Sequence, residues 1–238
     1  MRLMNLEKLI ESQEKISTKD FLVPVKELCD RYEQLYSGAI NDVLREFGLM
    51  DQALPSTIVP LREDMKVAGI AFTIKSSVDP RITGEMEARS KLLNQIQEHS
   101  ICVWDTSGDT IAAQWGEVMT AAAKKRGSRG AVVDGGLRDT RQVLEQKFPV
   151  FYKYRTSNGS LGRCLITAYQ VPIRISKTII RPGDLVFGDI DGVLVVPRDV
   201  AYEVLLRAEE IKINEKEIRK WVDDGMSADE VVKRGGYF

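Results

Sequence analysis

Three side chains near the middle of the sequence have the types and the spacing that metal-assisted chemistry on a small acid requires. Glu117 is followed, after 20 intervening residues, by the adjacent pair Arg138 and Asp139. The aspartate offers the hard oxygen ligands that Mg²⁺ or Mn²⁺ prefers, and the glutamate is spaced to hold one of the metal's water molecules. The arginine presents a planar fork that grips a carboxylate with two hydrogen bonds. A helix followed by a strand can fold back over this distance, so we expect the three side chains to open onto one cleft.

The helix that begins at Glu117 supplies the second part of the predicted site. Gly116 is expected to let the backbone turn tightly into this helix. The first backbone N–H groups of a helix have no partners within it, and here they belong to Glu117, Val118 and Met119. Such a helix start binds carboxylate or phosphate groups. With a metal and the arginine it would hold a 2-oxo acid such as pyruvate, and polarisation of the 2-oxo group would stabilise an enolate without a Schiff-base lysine.

The same residues have a plainer interpretation, which their spacing leaves open. Asp139 would then only cap the helix that it begins, and Arg138 would pair with an acid on the surface. Rival chemistries have less support, because His99 is the only histidine and its place at the end of a predicted helix favours a capping role. The cysteines have no CxxC spacing, which argues against a zinc site built on thiolates: they are Cys29, Cys102 and Cys164.

The composition is that of an ordinary globular protein with a sizeable core. The chain has 238 residues, of which 43% are hydrophobic and 29% charged, and its net charge is −1. Nucleic-acid-binding proteins usually carry a clear basic excess, so we expect no direct nucleic-acid partner. No apolar run has the length of a signal peptide or of the roughly 18 residues that span a membrane. The scattered cysteines indicate a reducing environment, and we therefore expect a cytoplasmic location.

The first 60 residues are predicted to be mainly helical. Apolar residues recur at helical spacing in segments 5–15, 24–35 and 39–47. Ser37 and Gly38 are expected to break the chain between the second and third of these helices. Gly48 is expected to end the third, because glycine readily adopts the left-handed conformation that follows a helix.

Strands and helices alternate around the candidate site. Strands are predicted at 67–74, 101–104 and 130–133, and a helix at 85–98. Residues 134–136, Asp-Gly-Gly, are expected to form a turn, followed by a helix over 139–147. The helix that starts at Glu117 is predicted to present one face made up of Val118, Ala121, Ala122 and Lys125.

The C-terminal third is predicted to contain strands and then one long helix. Segments 185–189 and 192–197 flank two residues and are expected to be neighbouring strands. The helix after Asp199 would bury an apolar stripe that consists of Val204, Leu205, Ala208, Ile211 and Ile218. No break in composition divides the chain. We therefore expect a single domain over 1–238, with a helical N-terminal part at 1–60 and a helical C-terminal tail at 200–238.

Two segments resemble the RraA-like family. The first, WGEVMTAAAKKRGSRGAVVDGGLRDT, contains the family's pattern of an acidic residue, 20 residues and then Arg-Asp. The second is RPGDLVFGDIDGVLVVPRDVAYEVLLRAEE, and the resemblance extends over about 37–225. The family includes class II 4-hydroxy-4-methyl-2-oxoglutarate / 4-carboxy-4-hydroxy-2-oxoadipate aldolases, and also regulators that bind ribonuclease E. The resemblance implies an α/β fold, a ββα-sandwich with a barrel-like core, assembled as a trimer or a pair of trimers with active sites between subunits.

The resemblance also implies a role for each predicted residue in a metal-dependent aldolase or oxaloacetate decarboxylase that forms a pyruvate enolate. Asp139 would bind Mg²⁺ or Mn²⁺ directly, and Glu117 would hold a metal-bound water. Arg138 would bind pyruvate and tune the water that transfers the proton. The amides of Val118 and Met119 would hold the pyruvate carboxylate.

Several questions stay open at this point. The resemblance places an acidic residue of the C-terminal helix, matched by Glu215 of the partner subunit, on another metal-bound water. Better-known aldolases of the family often have Asp where this chain has Glu117, which leaves the substrate undefined. Residues 79–85 and 157–160 are candidates for contacting the substrate's far end, and the role of Asp42 is open. The alternative function is that of a non-catalytic RraA-type regulator, which would bind a ribonuclease or another protein partner.

Overall fold

A nine-stranded sheet organises residues 4–238, the part of the chain that the computed structural model describes. The strands are β1 Val59–Pro60, β2 Val67–Val78, β3 Ser100–Asp105, β4 Ala113–Trp115, β5 Gly130–Leu137, β6 Val150–Arg155, β7 Cys164–Tyr169, β8 Ile173–Ile175, β9 Thr178–Ile180, β10 Leu185–Asp189 and β11 Gly192–Val196. The helices are α1 Glu7–Glu14, α2 Val25–Tyr32, α3 Ser37–Glu46, α4 Glu85–Gln95, α5 Glu117–Lys125, α6 Thr140–Glu145, α7 Ala201–Asp223 and α8 Ala228–Lys233.

The sheet is nearly closed into a barrel. Its order is β1-β6-β5-β3-β2-β10-β11, with β4 beside β5 and β7 beside β2, while β8 and β9 form a separate ribbon. Strands β2, β3, β5 and β6 run parallel, and β10 and β11 are antiparallel. The segment before β1 connects the two edges, because the Leu54 N–H donates to the Val193 carbonyl on β11 while β1 pairs with β6. The predicted α/β fold with a barrel-like core is confirmed.

Alternation of side chains along the strands divides the core into an inner and an outer part. Successive residues of a strand point to opposite faces. In β3, Val103 faces the barrel interior with Phe151, whereas Trp104 packs outward among residues of α4 and α5. A third cluster joins α2, α3 and α7 to β10 and β11. The helices around the candidate site are therefore anchored on a rigid barrel wall.

Most predicted elements lie near their expected positions, but several local expectations are wrong. Ser37 and Gly38 do not break the chain. Helix α3 begins at Ser37, because the Ser37 N–H donates at 2.8 Å to Oδ2 of Asp189 and its start is thereby anchored. His99 does not end a helix, since α4 stops at Gln95. It adopts a left-handed conformation with φ 60°, and its N–H donates to the Gly127 carbonyl at the entrance to β3.

The predicted glycine turn at 134–136 is also wrong, because these glycines are present to allow close packing and not to form a turn. Strand β5 continues to Leu137, with an irregularity in its pairing with β6 between Val133 and Gly136. A Cβ on Gly135 would lie 2.6 Å from Cγ2 of Thr106, and a Cβ on Gly136 would lie 2.5 Å from the Ala112 carbonyl oxygen. The two glycines therefore permit close packing within a strand, and this strand carries the chain directly to residue 138.

The predicted long C-terminal helix is confirmed as α7. Four residues of its predicted stripe are buried: Val204, Leu205, Ala208 and Ile211. Ile218 is half-buried. Within residues 4–238, no helix combines the length and the apolar character that crossing a membrane requires.

Candidate active site

Two neighbouring strands bring the ends of the predicted stretch together. Strand β4 pairs in parallel with β5, with Trp115 opposite Leu137, and the Arg138 N–H donates at 3.1 Å to the Trp115 carbonyl. The residue after β4 is Gly116, which directly precedes α5, and the residues after β5 are Arg138 and Asp139. The start of α5 and the Arg-Asp pair therefore lie side by side.

The Asp139 carboxylate is directed at α5 and does not cap its own helix. Asp139 occupies the position before α6 in a left-handed conformation, φ 53°, and its side chain makes no capping hydrogen bond there. Its Oδ2 accepts a long hydrogen bond, 3.4 Å, from the Glu117 N–H, and lies 3.5 Å from Nε of Arg138. The carboxylate is 37% exposed. The predicted cap on α6 is therefore not observed, and Asp139 instead accepts from the start of the neighbouring helix α5.

Gly116 is needed for space and not for a tight turn. Its backbone is extended, with φ −171° and ψ −167°, a conformation that any residue adopts. A Cβ at this position would lie 2.7 Å from Oδ2 of Asp139 and 3.2 Å from Cγ of Arg138. The absent side chain thus allows the carboxylate to approach the helix start.

A buried hydrogen-bond chain holds the start of α5. The indole Nε1 of Trp115 donates at 2.9 Å to Oγ1 of Thr120, and this hydroxyl donates at 3.0 Å to the Gly116 carbonyl. Trp115 and Thr120 are both buried. These two hydrogen bonds fix the orientation of the first turn of α5, because they tie Trp115 and Gly116 to the Thr120 hydroxyl.

Replacing Thr120 with valine should destabilise the protein by about 2 kcal/mol, because the buried Trp115 N–H then has no acceptor. The measurement is urea unfolding followed by tryptophan fluorescence. Thr120→Ser is the matched control, since it retains the hydroxyl and should lose less stability than the valine variant. Equal stability of the valine variant and the wild type would contradict this role of the hydroxyl.

The first turn of α5 has free backbone donors, as predicted, but the helix presents a different face to the core. The Thr120 N–H is the first to bond back, to the Gly116 carbonyl. Among the described residues, the N–H groups of Val118 and Met119 have no acceptor. The Val118 side chain is 74% exposed, and the face predicted from it points outward. The buried residues are instead Met119, Thr120 and Ala123, because the helix packs through them onto Trp115.

The Arg138 guanidinium lies against the loop that follows β6. Its Nη1 would be 2.7 Å from a Cβ on Gly159, so the glycine makes room for the arginine. This loop is fixed to β4, since the Ala113 N–H donates at 2.8 Å to the Asn158 carbonyl. Within residues 4–238, Asp139 is the only acid within 4 Å of Arg138. The expected alternative, a pairing of Arg138 with a separate surface acid, is not observed.

These elements enclose a cavity of about 580 Å³ between α4, the start of α5 and residues 159–161. Its walls are largely apolar, with Met86, Leu93 and Leu161 among the contributors, while Arg138 and Asp139 lie at one side. Cavities of this size and character commonly hold small ligands. Glu117 is exposed beside Asp139 and does not line the cavity.

A buried ion pair that the sequence did not predict lies in the same cavity. Glu85 is 1% exposed, and Nε of Arg89 donates to its Oε1 at 3.0 Å, with Nη2 as a second donor. Nη2 also donates at 3.0 Å to Oγ of Ser160. Residues 85 and 160 belong to the two loops that were candidates for the substrate's far end, and Arg89 joins them. The spacing of Glu85 and Arg89, four positions apart at the start of a predicted helix, could have indicated this ion pair.

Glu215 and Asp42 lie elsewhere in this chain. The Tyr36 hydroxyl donates to the Glu215 carboxylate, and Asp42 pairs with Arg45. Neither acid lines the cavity. The expected position of Glu215 at a partner subunit's site stays a prediction.

The donor set fits a metal that keeps most of its water. Within residues 4–238, no group of three His, Cys, Asp or Glu side chains converges as a ready metal cage. Asp139 with Glu117 nearby would supply few ligands, which suits Mg²⁺ or Mn²⁺ and not a tetrahedral zinc site. Burial raises the pKa of all three thiols to about 12, which disfavours thiolate ligands at neutral pH: they are Cys29, Cys102 and Cys164.

Comparison with known proteins gives a family match over most of the chain. The model of the RraA-like family, described as Aldolase/RraA, matches residues 26–195. DlpA of Legionella pneumophila is 28% identical over 194 residues, which are 82% of this chain but only 31% of that protein. A protein of Halalkalibacterium halodurans, provisionally named 4-hydroxy-4-methyl-2-oxoglutarate aldolase, is 33% identical over 175 residues, which are 74% of this chain and 80% of that protein.

Solved structures show the same fold. One, described as belonging to novel cellulases from microbes of the gut ecosystem, is 61% identical with a TM-score of 0.88, and the match covers 90% of this chain and 96% of that one. RraAS2 of Streptomyces coelicolor, described as an unusual member of the RNase ES inhibitor RraA protein family, is 27% identical with a TM-score of 0.74, over 84% of this chain and 99% of that one.

Proposed function

The chain belongs to the RraA-like family, and we propose that it is a divalent-metal-dependent carbon–carbon lyase that releases pyruvate. Its substrates would be a 4-hydroxy-2-oxo acid, cleaved as by an aldolase, oxaloacetate, which it would decarboxylate, or both. The observation that carries this proposal is the position of the Asp139 carboxylate, which leaves its own helix uncapped and approaches the start of α5 beside Arg138. The relatives named as aldolases support the same reaction class.

The chain's own groups would bind and orient the 2-oxo acid. The unpaired N–H groups of Val118 and Met119 would receive the carboxylate at the helix start, where the dipole favours negative charge. Arg138, held against Gly159, would donate to the same acid from the other side. Apolar walls would exclude water, which strengthens these hydrogen bonds.

The bond changes are the same for both substrates up to the leaving group. The C3–C4 bond breaks and its electron pair passes towards the 2-oxo group, while C4 leaves as a carbonyl compound or as CO₂. In the aldol case the C4 hydroxyl loses its proton, and in both cases C3 then takes up a proton. A water next to Arg138 would carry these protons, since no histidine lines the cavity. A bound Mg²⁺ or Mn²⁺, held by Asp139 directly and by Glu117 through water, would supply Lewis-acid polarisation of the 2-oxo group.

Metal removal tests the proposal. With Mg²⁺ or Mn²⁺, the protein should release pyruvate from 4-hydroxy-4-methyl-2-oxoglutarate or oxaloacetate with a kcat within the common enzymatic range of about 1–1000 per second. EDTA should abolish the release, and added metal should restore it. Pyruvate is measured by a coupled NADH assay against a blank that contains metal and no protein. Release no faster than this blank from either substrate would refute the proposed activity.

The proposed enzyme is a homo-oligomer, a trimer or a hexamer. Support comes from apolar side chains exposed at the mouth of the cavity, since Val118, Met86 and Leu161 all lie there uncovered in the single chain. Glu215 of the partner subunit would complete the water shell of the metal. Light scattering of the purified protein measures the mass of the assembly.

The likeness to RraAS2 favours a second candidate function, a non-catalytic regulator that binds a ribonuclease or another protein. This function predicts no turnover with any 2-oxo acid and a protein partner that co-purifies with the chain. The pyruvate assay and a binding assay with a purified ribonuclease E separate the two functions.

The description of one similar structure as a cellulase does not fit this cavity. Glycoside hydrolysis requires two carboxyl groups that are free to act on either side of the sugar bond. Asp139 is available, but both oxygens of Glu85 are engaged, by Arg89 and by the Ile166 N–H. We therefore expect no release of reducing sugar from cello-oligosaccharides under conditions that release pyruvate.

A further inference from the structure

The short helix α6 is joined to the first turn of α5 from both of its ends. At the start of α6, Oδ2 of Asp139 accepts a hydrogen bond from the Glu117 N–H. At the end of α6, Nε2 of Gln146 donates at 3.1 Å to the Glu117 carbonyl. The backbone N–H and the backbone carbonyl of one residue are therefore held by opposite ends of the same helix.

Two further contacts fix α6 along α5. Nζ of Lys124, in the last turn of α5, donates at 2.7 Å to the carbonyl of Gln146. Val143 of α6 is fully buried and belongs to the same apolar cluster as Ala123 of α5. Helix α6 is thus attached to both the first and the last turn of α5.

The backbone on either side of α6 is in an unfavourable conformation. Asp139 precedes the helix with φ 53°, and Lys147 follows it with φ 52°. A left-handed backbone is disfavoured for a residue with a Cβ, and it persists where surrounding contacts hold it. The direction of α6, and with it the direction of the Asp139 carboxylate, therefore depends on the contacts with α5.

The hydrogen bond from Gln146 matters more for geometry than for stability. Gln146 is only half-buried, so water competes for its amide and the net contribution of this bond to folding is small. The bond nevertheless sets the position of Glu117 relative to Asp139. Displacement of a reacting or binding group by about 1 Å costs up to a hundredfold in rate.

We propose that Gln146 is a positioning residue for the metal side of the site. It does not line the cavity, and it acts through the Glu117 carbonyl, which it holds so that the first turn of α5 keeps a fixed separation from the Asp139 carboxylate. The proposal rests on the proposed function, because it takes Asp139 and Glu117 as the groups that hold the metal.

Amide hydrogen exchange of the full-length protein without metal or substrate tests the contact directly. Gln146→Met removes the donor and keeps the length of the side chain. Exchange of the Thr120 N–H, which bonds to the Gly116 carbonyl, should become about fivefold faster, as expected for the loss of one hydrogen bond. The midpoint of urea unfolding should stay within about 0.5 M of wild type.

A second glutamine of α6 supplies the matched control. Gln142 is exposed and takes no part in the hydrogen bonds to α5 described above. Gln142→Met should leave exchange, metal affinity and kcat within about twofold of wild type. Gln146→Glu is the second test variant, because it keeps the shape of glutamine but has no donor at neutral pH, and it should accelerate exchange at least as much as Gln146→Met.

Metal binding and turnover separate positioning from a merely structural role. Gln146→Met should weaken Mn²⁺ binding about threefold and lower kcat about tenfold. The KM for the 2-oxo acid should change less than about twofold, because the N–H groups of Val118 and Met119 move together with α5. A contact that served only folding would leave the Mn²⁺ affinity of the folded protein unchanged.

The possible results also distinguish this inference from the proposed function. Wild-type exchange or wild-type Mn²⁺ affinity in Gln146→Met, the same changes in Gln142→Met, or no Mn²⁺ binding by the wild type would overturn the positioning role. Faster exchange together with weaker Mn²⁺ binding, in a protein that releases no pyruvate, would uphold the role of Gln146 and refute the lyase.

Discussion

Replacing Asp139 with asparagine should lower metal-dependent pyruvate release about a thousandfold. Asparagine keeps the shape of the side chain but removes the negative charge, and Asp139 is the carboxylate that we expect to contact the metal directly. Loss of Lewis-acid polarisation is worth several kcal/mol, and each 1.36 kcal/mol is a factor of ten in rate. The measurement is kcat/KM with Mn²⁺, together with the Mn²⁺ affinity from a binding titration.

A second carboxylate close by serves as the control for Asp139. Glu145 lies on α6, the helix that follows Asp139, is exposed, and among the described residues pairs only with Arg141 at 3.3 Å. Glu145→Gln changes the charge of the protein by the same amount, and both the rate and the metal affinity should stay within about twofold of wild type. Wild-type activity or wild-type Mn²⁺ affinity in the Asp139 variant would show that the metal is held elsewhere.

Adding a single methyl group at Gly116 should lower kcat about ten- to a hundredfold. The new Cβ would lie 2.7 Å from Oδ2 of Asp139, so the carboxylate or the start of α5 must move. Displacement of a reacting group by about 1 Å costs up to a hundredfold in rate. Gly116→Ala should also weaken Mn²⁺ binding, which the same titration measures.

Gly159→Ala provides a contrast with Gly116→Ala. Its Cβ would meet the far end of the Arg138 side chain, which can swing away because that side chain is flexible and 49% exposed. Gly159→Ala should therefore raise KM for the acid and leave the metal affinity within about twofold of wild type. If both alanine variants behaved alike, the separation between a metal side and an acid side of the cavity would be wrong.

The approach of Glu117 to Arg138 and Asp139 was predictable in outline, because a helix followed by a strand can fold back over the intervening distance. The strand-to-helix and helix-to-strand steps place both ends of the stretch at the same edge of parallel strands, β4 and β5. The side-chain environment was harder to predict. Gly135 and Gly136 were expected to form a turn. The sequence alone does not show whether a glycine is present for a turn or, as here, for close contact with Thr106 and Ala112.

The face of α5 and the role of Arg89 could not be predicted for a related reason. Periodicity places Val118 and Ala122 on one side of α5, but it does not say which side meets the barrel. That choice depends on Trp115, whose indole bonds to Thr120. Arg89 reaches Ser160 across 71 positions of sequence, and no local pattern records such a contact.

The close-packed glycines of β5 and of the start of α5 also bear on how this family can acquire new substrates. Gly116, Gly135 and Gly136 leave less than 3 Å between a would-be Cβ and its neighbours, so any larger side chain at these positions must displace the surrounding structure. By contrast, Leu93, Ser90 and Leu161 line the opposite wall from α4 and a surface loop, where side chains can be exchanged without moving Asp139. Substitutions that change the substrate are therefore expected mainly on the wall formed by α4 and this loop. A library restricted to that wall should yield altered selectivity among acids at a far higher frequency than random mutagenesis of the whole chain.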